Sequence, residues 1–182
     1  MKFCRWALHL CFFSFFGTQI CFSQVSELNG TVRIEAENYS ELTPRTNGVV
    51  EYNWAILADP LDATSAFSGV GYLQATTSDG ISTTIETSWE ATSPRLDYTI
   101  RFKNAGTYYV WFRGYATSAT SAGIYLGMAG SGSPTVRMDL QQFNDWAWCN
   151  TPTGSATPVV VNVSAPGEYT LQIWMRDSVF VS

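Results

Sequence analysis

The chain has 182 residues, 46% of them hydrophobic, with ten basic residues against fifteen acidic ones and a net charge of −5, which is the size and apolar content of one domain with a proper core. That acidity argues against nucleic acid and anionic membrane as partners and in favour of neutral molecules or cations. Past the N-terminus, no segment approaches the roughly 18 continuous apolar residues of a membrane-spanning helix.

Met1 to Arg5 carry two positive charges, and Trp6 to Phe16 follow as a short apolar run, the layout of an export signal. Small residues at Cys21 and Ser23 predict cleavage before Gln24, so residues 1–23 are expected to be a signal peptide and 24–182 a secreted domain. A lipoprotein signal on Cys21 would need a small residue where Ile20 stands. Loss of the leader removes His9, Cys4, Cys11 and Cys21, which leaves Cys149 as the only thiol and no histidine at all. Such a chain forms no internal disulfide, no Ser-His-Asp or Cys-His nucleophile and no imidazole–thiolate zinc site. Lys2 and Arg5 leave with it, taking the net charge to −7.

In chain order, Val32, Ile34 and Ala36 alternate with Arg33, Glu35 and Glu37, predicting a first strand with one face in the core. Glu35 and Glu37 would then share a side, about 7 Å apart. Such a pair could ligate calcium, serve as a glycosidase acid and base, or form a solvated face with Arg33 as counter-charge. Thr43 to Trp89 reads as loops and short strands, because Gly, Asp, Pro, Ser and Thr interrupt every apolar run. Leu96, Tyr98, Ile100 and Phe102 give the clearest strand; a turn at Asn104-Ala105-Gly106 leads to Tyr108, Val110 and Phe112, which predicts a hairpin. Tyr109, Trp111, Arg113 and Tyr115 take the opposite face. Ile124, Leu126 and Met128 mark another strand, and Val136, Met138 and Leu140 a further one. A second hairpin is expected from Val159, Val161 and Val163 through Ala165-Pro166-Gly167 to Tyr169, Leu171, Ile173 and Met175. Short alternating strands with polar turns predict an all-β, two-sheet antiparallel sandwich.

Two aromatic sets could stack on the apolar face of a sugar ring while guanidinium and amide groups bond its hydroxyls. One is the segment Phe143 to Trp148, expected to be an irregular loop, which sets Trp146 and Trp148 beside Asn144 and Asp145. The other is the strand face of Tyr109, Trp111, Arg113 and Tyr115, with Trp174 and Arg176. Each set could equally be packing: an indole of the loop plugging the gap between sheets, or the strand face buried beneath loops. The candidate sugar-binding residues are Trp146, Trp148, Asn144, Asp145, Tyr115 and Arg113, with the two loop indoles as the main contact. The face of Trp111, Arg113 and Trp174 is otherwise expected to be largely internal.

Three blocks carry a resemblance: IEAENY at Ile34 to Tyr39, SPRLDYTIRFKNAGTYYVWFRGYA at Ser93 to Ala116, and APGEYTLQIWMRD at Ala165 to Asp177. In these the chain resembles the carbohydrate-binding modules of families six and thirty-five, which share the galactose-binding-like jelly-roll sandwich. The resemblance implies a structural calcium on Glu35 and Glu37, and sugar held at one end of the sandwich, for which Trp146 and Trp148 match by position. The chain stops at Ser182 without the Asp-x-Ile-like segment of such modules, so weak or absent calcium binding and a truncated or isolated module are expected. The expected function is a secreted, non-catalytic module that binds a neutral poly- or oligosaccharide, either as a monomer or within a larger extracellular protein. The competing readings are a structural or adhesive surface module that buries its tryptophans, and a small glycosidase or lyase that would need facing carboxylates.

Overall fold

The computed structural model describes residues 25–57, 71–81, 84–86, 88–129, 135–177 and 180–181. The expected leader at 1–23 lies outside them. No described helix is long and apolar enough to cross a membrane. The strands are β1 (Val25–Ser26), β2 (Glu41–Thr43), β3 (Arg45–Thr46), β4 (Glu51–Leu57), β5 (Tyr72–Thr77), β6 (Arg95–Phe102), β7 (Gly106–Tyr109), β8 (Phe112–Tyr115), β9 (Gly123–Ala129), β10 (Val136–Asp139), β11 (Trp146–Cys149), β12 (Val160–Val163), β13 (Gly167–Met175) and β14 (Phe180–Val181). Among the described residues one α-helix, α1, covers Trp89–Thr92, and a 3₁₀ turn covers Ala119–Ser121.

The first sheet runs β10-β9-β13-β6-β1, with β2 also on β6; the second runs β11-β8-β14-β5-β4-β3; β12 and β7 form a two-stranded ribbon. This is the all-β sandwich that the sequence predicts. Its alternation follows the pleat: Leu96, Tyr98, Ile100 and Phe102 of β6, Leu171 and Met175 of β13, and Ile124, Leu126 and Met128 of β9 are buried. They meet Trp54, Leu73, Ala75, Phe112, Ala147 and Cys149 of the second sheet in one core cluster. Each large apolar side chain taken from water there stabilises the fold by about 1.5–3 kcal/mol.

Neither expected hairpin forms. β6 pairs with β13, from Phe102 opposite Gly167 to Arg95 opposite Trp174, while β7 pairs with β12, from Gly106 opposite Val163 to Tyr109 opposite Val160. Each segment passes from one layer to the next at its turn, and the two bent segments lie antiparallel to one another. Glu27 is one reason. Its buried carboxylate accepts the backbone N–H groups of Lys103 and Asn104 at 2.8 and 2.9 Å, the Asn104 side-chain amide at 2.7 Å and the Tyr108 hydroxyl at 2.9 Å. A side chain thus takes the amides that a tight hairpin would point across the turn. These bonds, the Asn104 amide foremost, favour the charged form and outweigh desolvation, holding the carboxyl at about 2.

The expected first strand at Val32 to Ala36 is also absent. Its inward alternation is right, since Val32 and Ile34 pack against the core and Ala36 is buried, but no ladder partner remains. The free edge of β6 is already taken by β1, with Val25 opposite Ile100, and by β2, with Leu42 opposite Leu96. The segment between them instead turns, with the Asn38 N–H bonding the Glu35 carbonyl at 3.0 Å and the Tyr98 hydroxyl bonding the Ala36 carbonyl at 2.7 Å. Within Thr43 to Trp89, β4 is longer than the interrupted sequence suggests: it pairs with β5 from Tyr52 opposite Thr77 to Leu57 opposite Tyr72.

Candidate functional site

The segment Trp146 to Cys149 is not an irregular loop. As β11 it pairs with β8, placing Trp146 opposite Tyr115 and Trp148 opposite Arg113. Ala147, Cys149 and Phe112 fill the core, so alternation turns Trp146, Trp148, Arg113 and Tyr115 together onto the outer face of the second sheet. The two indoles therefore do point the same way, but their surroundings differ. Trp146 is half-buried, its ring 5.9 Å from those of Tyr115 and the fully buried Tyr72, with the Arg113 guanidinium 5.0 Å above it. Trp148 is 61% exposed. Asn144 and Asp145 are exposed and shape the turn into β11: Asn144 has φ 60° and its N–H bonds the Ala116 carbonyl at 2.7 Å, while an Asp145 carboxylate oxygen accepts the Trp146 N–H at 2.8 Å.

Tyr109, Trp111 and Arg113 continue the same outward alternation upstream. The expectation that Trp111 is internal fails, since it is 58% exposed, and Tyr109 is 65% exposed. A two-layer sandwich covers only the inner face of each sheet, and nothing described lies over this stretch of the outer one. Trp174 is internal as expected and Arg176 is buried beside it, but neither lies between the sheets. They sit on the outer face of the first sheet, each 5% exposed, with Trp89 against Trp174.

A groove of about 1210 Å³ joins these parts. One wall is the segment from Gly30 to Ala36, the other is Thr107 to Arg113, and Trp111, Trp148 and Arg113 lie along it. Core side chains such as Ile100, Leu171 and Ile173 close the bottom. The wall is anchored by Glu27, which also accepts the Gly30 N–H at 3.0 Å. Arg33 and Glu35 stand on that wall, and Glu35 is the one carboxylate among the described lining residues. Arg113 has no ion pair among the described residues, so its remaining N–H donors can face a ligand. Cys149 is buried beneath this face as a free thiol, and burial pushes its pKa up, away from nucleophilic use.

Glu35 and Glu37 do not form the expected same-side pair, because the strand that would align them is replaced by the turn at Ala36-Glu37. Among the described residues no group of three or more His, Cys, Asp or Glu could hold a metal ion.

The family model of the glycosyl hydrolase family 115 C-terminal domain matches residues 26–181. The chain belongs to this family. As a glycosyl hydrolase family 115 C-terminal domain it also aligns with solved structures, a CBM35 among them. The CBM35 from Cellvibrio japonicus Abf62 aligns at 11% identity and a TM-score of 0.43 over 78% of this chain and 88% of that one. An exo-β-1,3-galactanase from Phanerochaete chrysosporium with β-1,3-galactotriose aligns at 15% identity and a TM-score of 0.42, over 83% of this chain and 30% of that one. The isomalto-dextranase of Arthrobacter globiformis T6, complexed with panose, aligns at 12% and 0.43, over 78% and 22%. The chain thus spans less than a third of either enzyme. No curated protein matches it.

Proposed function

We propose that this glycosyl hydrolase family 115 C-terminal domain is a non-catalytic accessory domain that binds a neutral poly- or oligosaccharide along the groove edged by Trp111 and Trp148. The observation that carries the reading is the exposure of these two indoles near Arg113, Trp148 on β11 opposite Arg113 of β8 and Trp111 in the link that leads into β8. A large apolar ring left in water costs free energy unless a ligand covers it, and the faces of sugar rings stack on indoles. Trp146 supports the platform and does not contact sugar directly: its ring is already engaged by Tyr72, Tyr115 and Arg113. Glu35, the single carboxylate among the described groove residues, argues against hydrolysis, which commonly uses two carboxyl groups roughly 5 to 9 Å apart.

A glycan array with the full chain tests the proposal. Binding that weakens about tenfold on Trp148→Ala or Trp111→Ala, with the melting temperature unchanged, supports it; a folded protein that binds no glycan sinks it. Export with cleavage before Gln24 is part of the same proposal, checked by N-terminal mass spectrometry of secreted material. A thermal melt with calcium and with chelator should show no difference, since a native-state ligand would raise the melting temperature.

A further inference from the structure

The outer face of the first sheet carries the same chemistry as the groove, but it is covered. Register lines up one row across four strands: Arg95 of β6 opposite Trp174 of β13, Trp174 opposite Tyr125 of β9, and Tyr125 opposite Arg137 of β10. The next row is Asp97, Gln172 and Gly127. Two stackable rings are thus flanked by guanidinium, carboxylate and amide groups. Arg95 and Arg137 are held in place by two-pronged pairs with Asp97 and Asp139 on their own strands. None of this belongs to the inter-sheet core, which omits both Tyr125 and Trp174.

What covers the face is a strap whose described residues are 84–86 and 88–92, Trp89 among them. Trp89 stacks on Tyr125, with ring centres 4.6 Å apart and planes 16° from parallel, and meets Trp174 edge-on at 5.0 Å. The strap is fixed at its ends. The Ile85 N–H bonds the Arg176 carbonyl at 2.8 Å, the Thr84 hydroxyl bonds Asp177 at 2.7 Å, and the Ser93 hydroxyl bonds the Met175 carbonyl at 2.6 Å. Between these ends its hold is weaker: no residue of α1 is buried, and Ser88, which precedes it, sits at φ 53° in the left-handed region that non-glycine residues avoid. The closed arrangement is also incomplete beneath the strap. The indole Nε1–H of Trp174 and the Nε–H of Arg176 are buried without a hydrogen-bond partner among the described residues, although each residue is only 5% exposed. Buried donors left unsatisfied are costly and uncommon.

We propose that this face is a second saccharide-binding platform, held shut by Trp89, whose ring stands on Tyr125 where a pyranose ring would stack. The hydroxyl oxygens of the sugar supply acceptors to the Trp174 Nε1–H and the Arg176 Nε–H, the rest of that guanidinium being paired with Glu86 and Asp177. The proposal rests on the saccharide reading of the groove for its ligand class, but not for its geometry. Because opening of the strap is required, the platform is reached only from a minor state of the protein, and apparent affinity is reduced by the fraction open.

The test is calorimetric titration of xylohexaose and of cellohexaose into the full chain, into Trp148→Ala, and into Trp148→Ala with Trp89→Ala. With the groove disabled, loss of Trp89 should raise affinity at least about tenfold, the gain expected when a state populated at a tenth or less becomes dominant. Trp174→Ala added to that double variant should remove the gain. A folded double variant that binds no more tightly than Trp148→Ala overturns the proposal. Should Trp89→Ala fail to fold, hydrogen exchange on the unaltered chain decides instead: excess oligosaccharide must speed exchange of the Ser93 amide, whose N–H bonds the Trp89 carbonyl, and unchanged exchange overturns the proposal. If the unaltered chain binds through Trp148 while neither measurement responds, the groove reading stands and the platform falls. A gain in the double variant without any effect of Trp148→Ala alone leaves the platform and removes the groove. If no sugar is bound in any form, both fall.

Discussion

Trp146 and Trp148 are two residues apart on one strand face and should nevertheless behave differently on truncation. Trp148→Ala removes an exposed stacking surface and should lower glycan affinity about tenfold, near 1.4 kcal/mol, without shifting the melt. Trp146→Ala removes a ring wedged between Tyr72, Tyr115 and Arg113 and should cost about 2 kcal/mol of stability, less than the 3–5 of a fully buried Trp. Chemical denaturation and calorimetry read the two separately, and a stability loss at Trp148 would reverse their roles. Glu27 offers a prediction in pH. Its folded pKa, about 2, lies below the ordinary value near 4.3, so its stabilisation is complete above about pH 4.3 and is lost as pH falls through about 2. Glu27→Gln should therefore lower the melting temperature at neutral pH, and the difference from the unaltered chain should shrink to nothing near pH 2. A difference independent of pH would mean that the carboxylate is not the group responsible. At this scale the sequence is a good guide to side and a poor one to cover. Alternation puts Tyr109, Trp111, Arg113 and Tyr115 on one face, as found, but it does not say whether another layer lies over them. For Trp111 solvent does, and for Trp174 it is Trp89, far away in the chain.

The elements show the same division between what is local and what is not. β6, β9 and β13 are legible because hydrophobic alternation is a property of consecutive residues. Their partners are not, because pairing is decided by which edges are free: Val32 to Ala36 alternates correctly and still forms no strand, since β1 and β2 have filled the edge of β6. Trp146 to Cys149 is the reverse case, a segment with too few residues to show a period that becomes a strand through β8. One glycine exposes how tightly the outer side of the first sheet is built at its end. A Cβ on Gly123 would run into an Asp139 carboxylate oxygen and lie 2.9 Å from Arg176 Cδ and 3.0 Å from Asp177 Oδ2. Asp177 is fully buried, and that burial pushes its pKa up, so the cluster has little freedom to yield. Gly123→Ala should cost about 1–3 kcal/mol, the range for overpacking, as measured by urea unfolding. A neutral result would show that the charged cluster rearranges freely.

For the whole molecule, composition and turn spacing are enough to give the class of fold, while the connection between its layers depends on segments far apart in the chain, such as Arg95 with Trp174. The second sheet carries this furthest. Its middle is β14, two residues long, with Phe180 opposite Tyr115 on one side and opposite Gln74 on the other. Without it, β11-β8 and β5-β4-β3 are separate pieces with bare edges. A chain ending at Asp177 should melt at least about 10 °C lower, a loss of several kcal/mol for a domain of this length, and should lose a single cooperative transition. An unchanged calorimetric trace would show that the two pieces hold together through the core alone.

The position of β14 also sets an order in time. A ribosome delivers residues 72–77 and 112–115 long before 180–181, so the sheet that carries the aromatic groove stays split until Val181 has emerged. β6 and β7 likewise wait for β13 and β12. Domains generally fold as units as synthesis proceeds, but a topology of this kind leaves little that can settle early. The domain is therefore kept open until β14 has been made, a state in which chaperones can hold it.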